Sequence, residues 1–182
     1  MNFFGHAVVA SSAEPLLVLG TMLPDFAGML GGRVDDAAIA AAPRLADGVA
    51  LHHRTDGVFH VLPVVAGLMR ELGEALLAAG CRRGPARAAA HLGVELLLDG
   101  VLARDDETHA RYLAALEVGG VPAGALGPNH DDALATLRRR LASHGVPTDL
   151  ADAAVATRRV VRAIAGRRLR RARHRRGGRR PR

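Results

Sequence analysis

Glycine and proline divide this chain into Ala- and Leu-rich stretches of helical length, and that spacing limits what it can fold into. β-branched residues come only in short runs, and no alternating apolar–polar pattern marks a strand. The expected class is all-α, a compact helical bundle. Its core must be built from Ala, Leu and Val, because the chain has no Trp, one Tyr and four Phe.

The punctuation predicts a first helix over Asn2 to Ala10. A break at Ser11 and Ser12 precedes a second helix with Pro15 in its first turn. That helix is expected to run to Met22, with Leu23-Pro24-Asp25-Phe26 turning the chain. Asp35 and Asp36 open a short helix ending near Pro43. A long one covers Ala46 to His60, with Pro63 at its end or starting the next. Leu68 to Ala79 is helical and stops at Gly80. Gly84-Pro85 reads as a break, and Ala86 to Arg104 as the clearest helix of all. Thr108 to Glu117, Asp131 to Ser143 and Asp149 to Arg171 complete the set, with a Gly/Pro-rich loop over 119–129.

Charge is unevenly spread. The segment Arg158 to Arg182 holds 13 Arg and no acid. The other 12 basic residues face 18 acids, so the rest of the chain carries −6 against a total of +7. The division expected is a helical domain over 1–166 and a disordered, Arg-rich tail over 167–182. Such a tail is a solvated terminus or a salt-sensitive contact with an acidic protein or nucleic acid. No aromatic residue interleaves it, which argues against base stacking. The single cysteine, Cys81, excludes an internal disulfide framework and a multi-Cys zinc site. No charge-free run reaches the roughly 18 apolar residues that suggest a membrane span. Met1 to Ala10 lack the positive region of a secretory signal, and the expected location is cytoplasmic.

Two helices carry polar residues at helical spacing among apolar neighbours. His52, Asp56 and His60 fall at i, i+4 and i+8, and His53 stands three residues before Asp56. His91, Glu95 and Asp99 repeat that spacing around Leu96-Leu97-Leu98. A buried carboxylate pair is costly unless a cation or hydrogen bonds compensate it. Imidazoles and carboxylates on facing helices are how a bundle builds a divalent-metal site. With no thiolate at hand, a mixed nitrogen/oxygen set suits Mn²⁺, Fe²⁺ or Zn²⁺. Asp25, after Pro24, either joins such a site or caps a turn. The remaining histidines, His109, His130, His144 and His174, read as surface residues.

Four segments resemble the acyl carrier protein phosphodiesterase family, an HD-like helical group. Met1-Asn2-Phe3-Phe4-Gly5-His6 resembles its MNFLAH opening, and Gly20-Thr21-Met22-Leu23-Pro24-Asp25-Phe26 its GNLLGDF segment. Gly48-Val49-Ala50-Leu51-His52, then Asp56, is similar to GIxLHRxID. Gly93 to Ala103 is similar to the stretch ending in DHFLA. Order and approximate spacing agree over residues 1–105. The resemblance implies a Mn²⁺-type phosphodiesterase that removes 4′-phosphopantetheine from holo-acyl carrier protein, an acidic substrate. By position it implicates His6, Asp25, His52, Asp56 and Asp99. The chain departs from the pattern at Gly100, which stands where the family has the His of its DH pair. It departs again at His53, His60 and Leu62, which replace an Arg, an Asp and a His.

The stripes and the resemblance together give an expected metal set of His6, Asp25, His52, Asp56, Glu95 and Asp99. Asp25 is also a candidate base, and His53 or His60 a proton donor to the leaving oxygen. The rival expectations are a relative acting on another phosphoester, and a non-catalytic helical module whose Arg tail binds an acidic partner.

Overall fold

The computed structural model describes the backbone of residues 1–177 and the side chains of residues 1–165. Within these the protein is an all-α bundle. Its helices are α1 Phe3–Ala10, α2 Pro15–Leu30, α3 Asp36–Ile39, α4 Pro43–Phe59 and α5 Pro63–Ala78. There follow α6 Arg83–Leu102, α7 Asp106–Glu117, α8 Asp131–His144, a 3₁₀ turn Thr148–Ala151, and α9 Ala153–Gly177. Among the described residues no helix is long and apolar enough to cross a membrane. Helix α9 extends into the segment expected to be a tail. Residues 178–182 and the tail's side chains, and with them the expected acidic or nucleic-acid partner of that segment, lie outside the described residues.

The local signals act where their chemistry predicts. Asp35 caps α3 by accepting from the backbone N–H groups of Ala37 and Ala38, and Asp105 caps α7 by accepting from Thr108. Pro15, Pro43 and Pro63 each occupy the first turn of a helix, where a missing N–H costs nothing. Gly84-Pro85 does the same work in α6, so the expected break there is a helix start.

Pro24 corrects the second expectation. Helix α2 does not turn at Leu23-Pro24 but runs through it to Leu30. A proline inside a helix forfeits one backbone hydrogen bond and crowds the preceding turn. The apolar surface of α2 outweighs that loss, since Leu19, Met22, Leu23 and Phe26 are all fully enclosed. Each such side chain contributes about 1.5–3 kcal/mol of burial. Asp25 is thereby a mid-helix residue and not a turn cap.

Helix α2 is the axis of the core. It packs on α4, α1 and α7, and the α2–α4 seam is the most intimate. At the other side Phe4 of α1 meets Tyr112 of α7 edge to face, with ring centroids 5.2 Å apart. His109, expected at the surface, is half-buried and borders both rings. Helices α5 and α6 pair beside this core, and α6 also lies against α1 and the 3₁₀ turn. Gly100 of α6 explains that last contact. A Cβ at this position would stand 2.1 Å from the Ala151 backbone nitrogen.

Candidate metal centre

Helices α1, α2, α4 and α6 bring His6, Asp25, His52, Asp56, His60, Glu95 and Asp99 toward one interior region. Among the described residues, two groups within it have donor atoms close enough to share a metal ion. One is His6, Asp25 and His52; the other is His60, His91 and Glu95. Within each group the donor atoms lie within 4.8 Å of one another.

The first group is built by three helices. His6 is 1% exposed and stacks on His52, with ring centroids 3.9 Å apart. The Nδ1 atoms of both rings are engaged. His52 Nδ1 lies 2.8 Å from the Thr21 carbonyl oxygen, which accepts only, so Nδ1 carries the proton and donates. His6 Nδ1 lies 3.2 Å from Thr55 Oγ1, whose own hydroxyl donates back to the Leu51 carbonyl oxygen. His6 Nδ1 is therefore the donor as well. Both Nε2 atoms are left with their lone pairs free, the form a metal ligand needs. His6 Nε2 and Asp25 Oδ2 are enclosed and receive no hydrogen bond. Buried polar atoms without partners are rare, and two in one cluster of ligand-type side chains fit a cation.

The electrostatics agree with neutral rings. Burial, then the neighbouring His52, pulls the His6 pKa down to about 3. Burial likewise lowers His52, against the Thr21 carbonyl, which raises it. Burial pushes the Asp25 carboxyl up to about 7, with Glu95, Asp56 and Asp99 adding to the rise and the Met1 ammonium opposing it. A divalent cation would reverse that penalty by supplying opposite charge.

The second group straddles α4 and α6. Glu95 is buried, with Oε1 3.0 Å from His91 Nε2 and 3.8 Å from His60 Nε2. The His60 and His91 rings stack with centroids 4.7 Å apart. Burial acts to raise Glu95, yet contact with His91 and the Met1 ammonium holds its carboxyl below the ordinary range. His91 is correspondingly raised by Glu95.

Asp56 stands between the groups. Its Oδ1 is 3.5 Å from His6 Nε2, 3.1 Å from His60 Nε2 and 2.6 Å from the Met1 ammonium. Burial works to raise its pKa, but the ammonium, His60 and His6 outweigh it and keep the carboxyl below its usual value.

Two expected residues sit differently. Asp99 is 2% exposed, but its Oδ2 accepts from the Asn2 side chain and it belongs to neither group. Burial pushes its pKa up to about 7. Its Oδ1 is enclosed and without a hydrogen-bond partner, but outside both groups. His53 lies on the solvent side of α4, edge-on to His52 at 5.3 Å, and joins neither group. It follows His52 by one residue, and a rotation of 100° along a helix turns it away.

Sequence reasoning left His91 out of the ligand set, although it shares a stripe with Glu95. The missing information was the partner, His60, on another helix. The orienting residues Thr21, Thr55 and Asn2 carried no signal, because each acts through a contact distant in sequence. A shallow groove between α7 and α8, lined by Glu117, Arg138, Arg139 and Ser143, carries none of these side chains. Comparison with protein-family models, curated proteins and solved structures finds no match to this chain.

Proposed function

We propose that this chain is a metal-dependent phosphodiesterase whose cation is held by His6, Asp25 and His52, with Mn²⁺ the expected metal. The observation that carries the reading is the paired orientation of His6 and His52. Each ring gives its Nδ1 proton to a fixed oxygen and keeps its Nε2 lone pair beside an unpartnered Asp25 oxygen. A divalent cation bound there would polarise phosphoryl oxygens and yield hydroxide from water near neutral pH.

The chain's own residues supply the rest. Thr55 and Thr21 fix the rings, so no reorientation is needed when a ligand arrives. Asp25, whose proton is held up to about pH 7 by burial, would give up that proton when a cation binds and serve it as a carboxylate oxygen. Asp56 keeps its negative charge and offsets the cation. The substrate class rests on the sequence resemblance, which points to the phosphopantetheine linkage of an acidic carrier protein.

The test is elemental analysis of the purified protein together with hydrolysis of bis-p-nitrophenyl phosphate and of holo-acyl carrier protein in added Mn²⁺. The expected result is bound Mn²⁺ and Mn²⁺-dependent turnover, with His52→Ala losing the ion held by His6, Asp25 and His52 and, with it, the turnover. A folded, Mn²⁺-loaded protein that cleaves neither compound sinks the reading.

A further inference from the structure

We propose a second divalent-cation site, formed by His60, His91 and Glu95 and joined to the first through the Asp56 carboxylate. The inference stands on geometry and does not depend on what the protein hydrolyses.

His60 closes the C-terminal end of α4, while His91 and Glu95 sit one turn apart on α6. Around a cation with ligand bonds of about 2.0–2.2 Å, adjacent donor atoms stand about 2.8–3.1 Å apart at octahedral angles and about 3.3–3.6 Å apart at tetrahedral ones. Glu95 Oε1 lies 3.0 Å from one imidazole nitrogen, within the octahedral spacing, and 3.8 Å from the other, just above the tetrahedral one. Glu95 is 6% exposed, and its Oε1 receives no well-directed hydrogen bond although nitrogens stand close. The ligand atoms of all three residues lie within 4.8 Å of one another, close enough to share one ion.

A positive charge is already held there. The Met1 ammonium nitrogen lies 3.1 Å from Glu95 Oε1, 3.1 Å from His60 Nε2 and 2.6 Å from Asp56 Oδ1. A metal ion there would displace the ammonium from Glu95 Oε1 and His60 Nε2, add His91 Nε2, and share Asp56 Oδ1 with the first site.

Asp56 links the two sites. One oxygen, Oδ1, neighbours both His6 Nε2 and His60 Nε2. A carboxylate so placed between two nitrogen/oxygen sets can bridge two cations. Such pairs clamp both the attacking and the leaving oxygen of a phosphoryl transfer. The site also makes His60 a metal-binding residue and not the proton donor expected from the sequence.

The experiment is equilibrium dialysis of the full chain against Mn²⁺, with metal counted by elemental analysis and electron paramagnetic resonance recorded on the loaded protein. Two Mn²⁺ per chain with a spin-coupled spectrum are expected. The double variant His60→Ala/His91→Ala should keep its circular dichroism, since His91 is exposed and His60 lies at a helix end. It should bind one Mn²⁺ with an uncoupled spectrum. The proposal is overturned by one Mn²⁺ per unmutated chain, by two uncoupled ions, or by two ions retained in the double variant. Loss of phosphodiesterase activity alone would bear on the functional reading and leave this stoichiometry standing.

Discussion

Gly20 and Gly48 meet backbone to backbone across the α2–α4 seam. A Cβ on Gly48 would stand 2.7 Å from the Gly20 Cα and 2.2 Å from the Leu17 carbonyl oxygen. A Cβ on Gly20 would stand 2.3 Å from the Leu45 carbonyl oxygen. No side chain fits, so the helices approach as closely as their backbones allow. That approach brings the Thr21 carbonyl within 2.8 Å of His52 Nδ1. The seam therefore sets the orientation of the His52 ring as well as the fold.

Gly20→Ala should accordingly cost stability and metal affinity together. Forcing a methyl group into packed backbone costs about 1–3 kcal/mol, and more where nothing flexible can yield. Chemical denaturation with and without Mn²⁺ measures both effects. An unchanged midpoint would show that the helices separate freely at this point.

Thr55→Val should weaken Mn²⁺ binding by about 10–100-fold, because it removes the acceptor that fixes the His6 ring. Val matches Thr in shape, so the helix should persist. Thr55→Ser restores the hydroxyl and should recover most of the affinity. Calorimetric titration of the three proteins checks this, and equal affinity for Val and Thr would refute an orienting role.

Asp99 predicts a pH effect with a definite sign. Burial raises its pKa from 3.8 to about 7 in the folded protein. The folded state thus holds this proton more tightly than the unfolded chain does. Its contribution to stability is complete below about pH 4 and lost as pH rises to about 7. Asp99→Asn removes the titration while keeping an oxygen for the Asn2 side chain. The stability of the variant relative to the unmutated metal-free protein should rise across this window, on the order of a few kcal/mol. Equal pH dependence of the two proteins in urea titrations would show that Asp99 is not desolvated. His6 acts in the opposite sense between pH 6.5 and about 3, but it is common to both proteins and cancels in the comparison.

Gly100→His tests whether the departure from the DH pair is a lost ligand or a packing requirement. The Ala151 nitrogen and the Leu150 carbonyl carbon lie 2.1 and 2.4 Å from where its Cβ would be. The substitution should destabilise the protein, displacing the 3₁₀ turn, and should add no phosphodiesterase activity. A variant with unchanged melting temperature and higher turnover would contradict the packing explanation.

The sequence by itself determined the all-α class, several helix starts and the polar stripes. Capping aspartates, first-turn prolines and Ala/Leu-rich spans are local signals, and α3, α7 and α8 begin within about two residues of where those signals place them. His52, Asp56 and His60 were legible as one stripe because a helix repeats every 3.6 residues. What tertiary structure decided were matters of distance between helices. Pro24 stays inside α2 because burial of Leu23 and Phe26 outweighs a lost hydrogen bond, a balance no local pattern contains. The division of the polar residues into two groups depends on which face of α6 meets α4. His91 enters through its stacking on His60, 31 positions away, while Asp99, on the same stripe, accepts from Asn2 and lies outside both groups. Spacing along a chain fixes which side chains share a face. Only packing fixes which faces meet, and the Gly20–Gly48 contact shows how finely it does so.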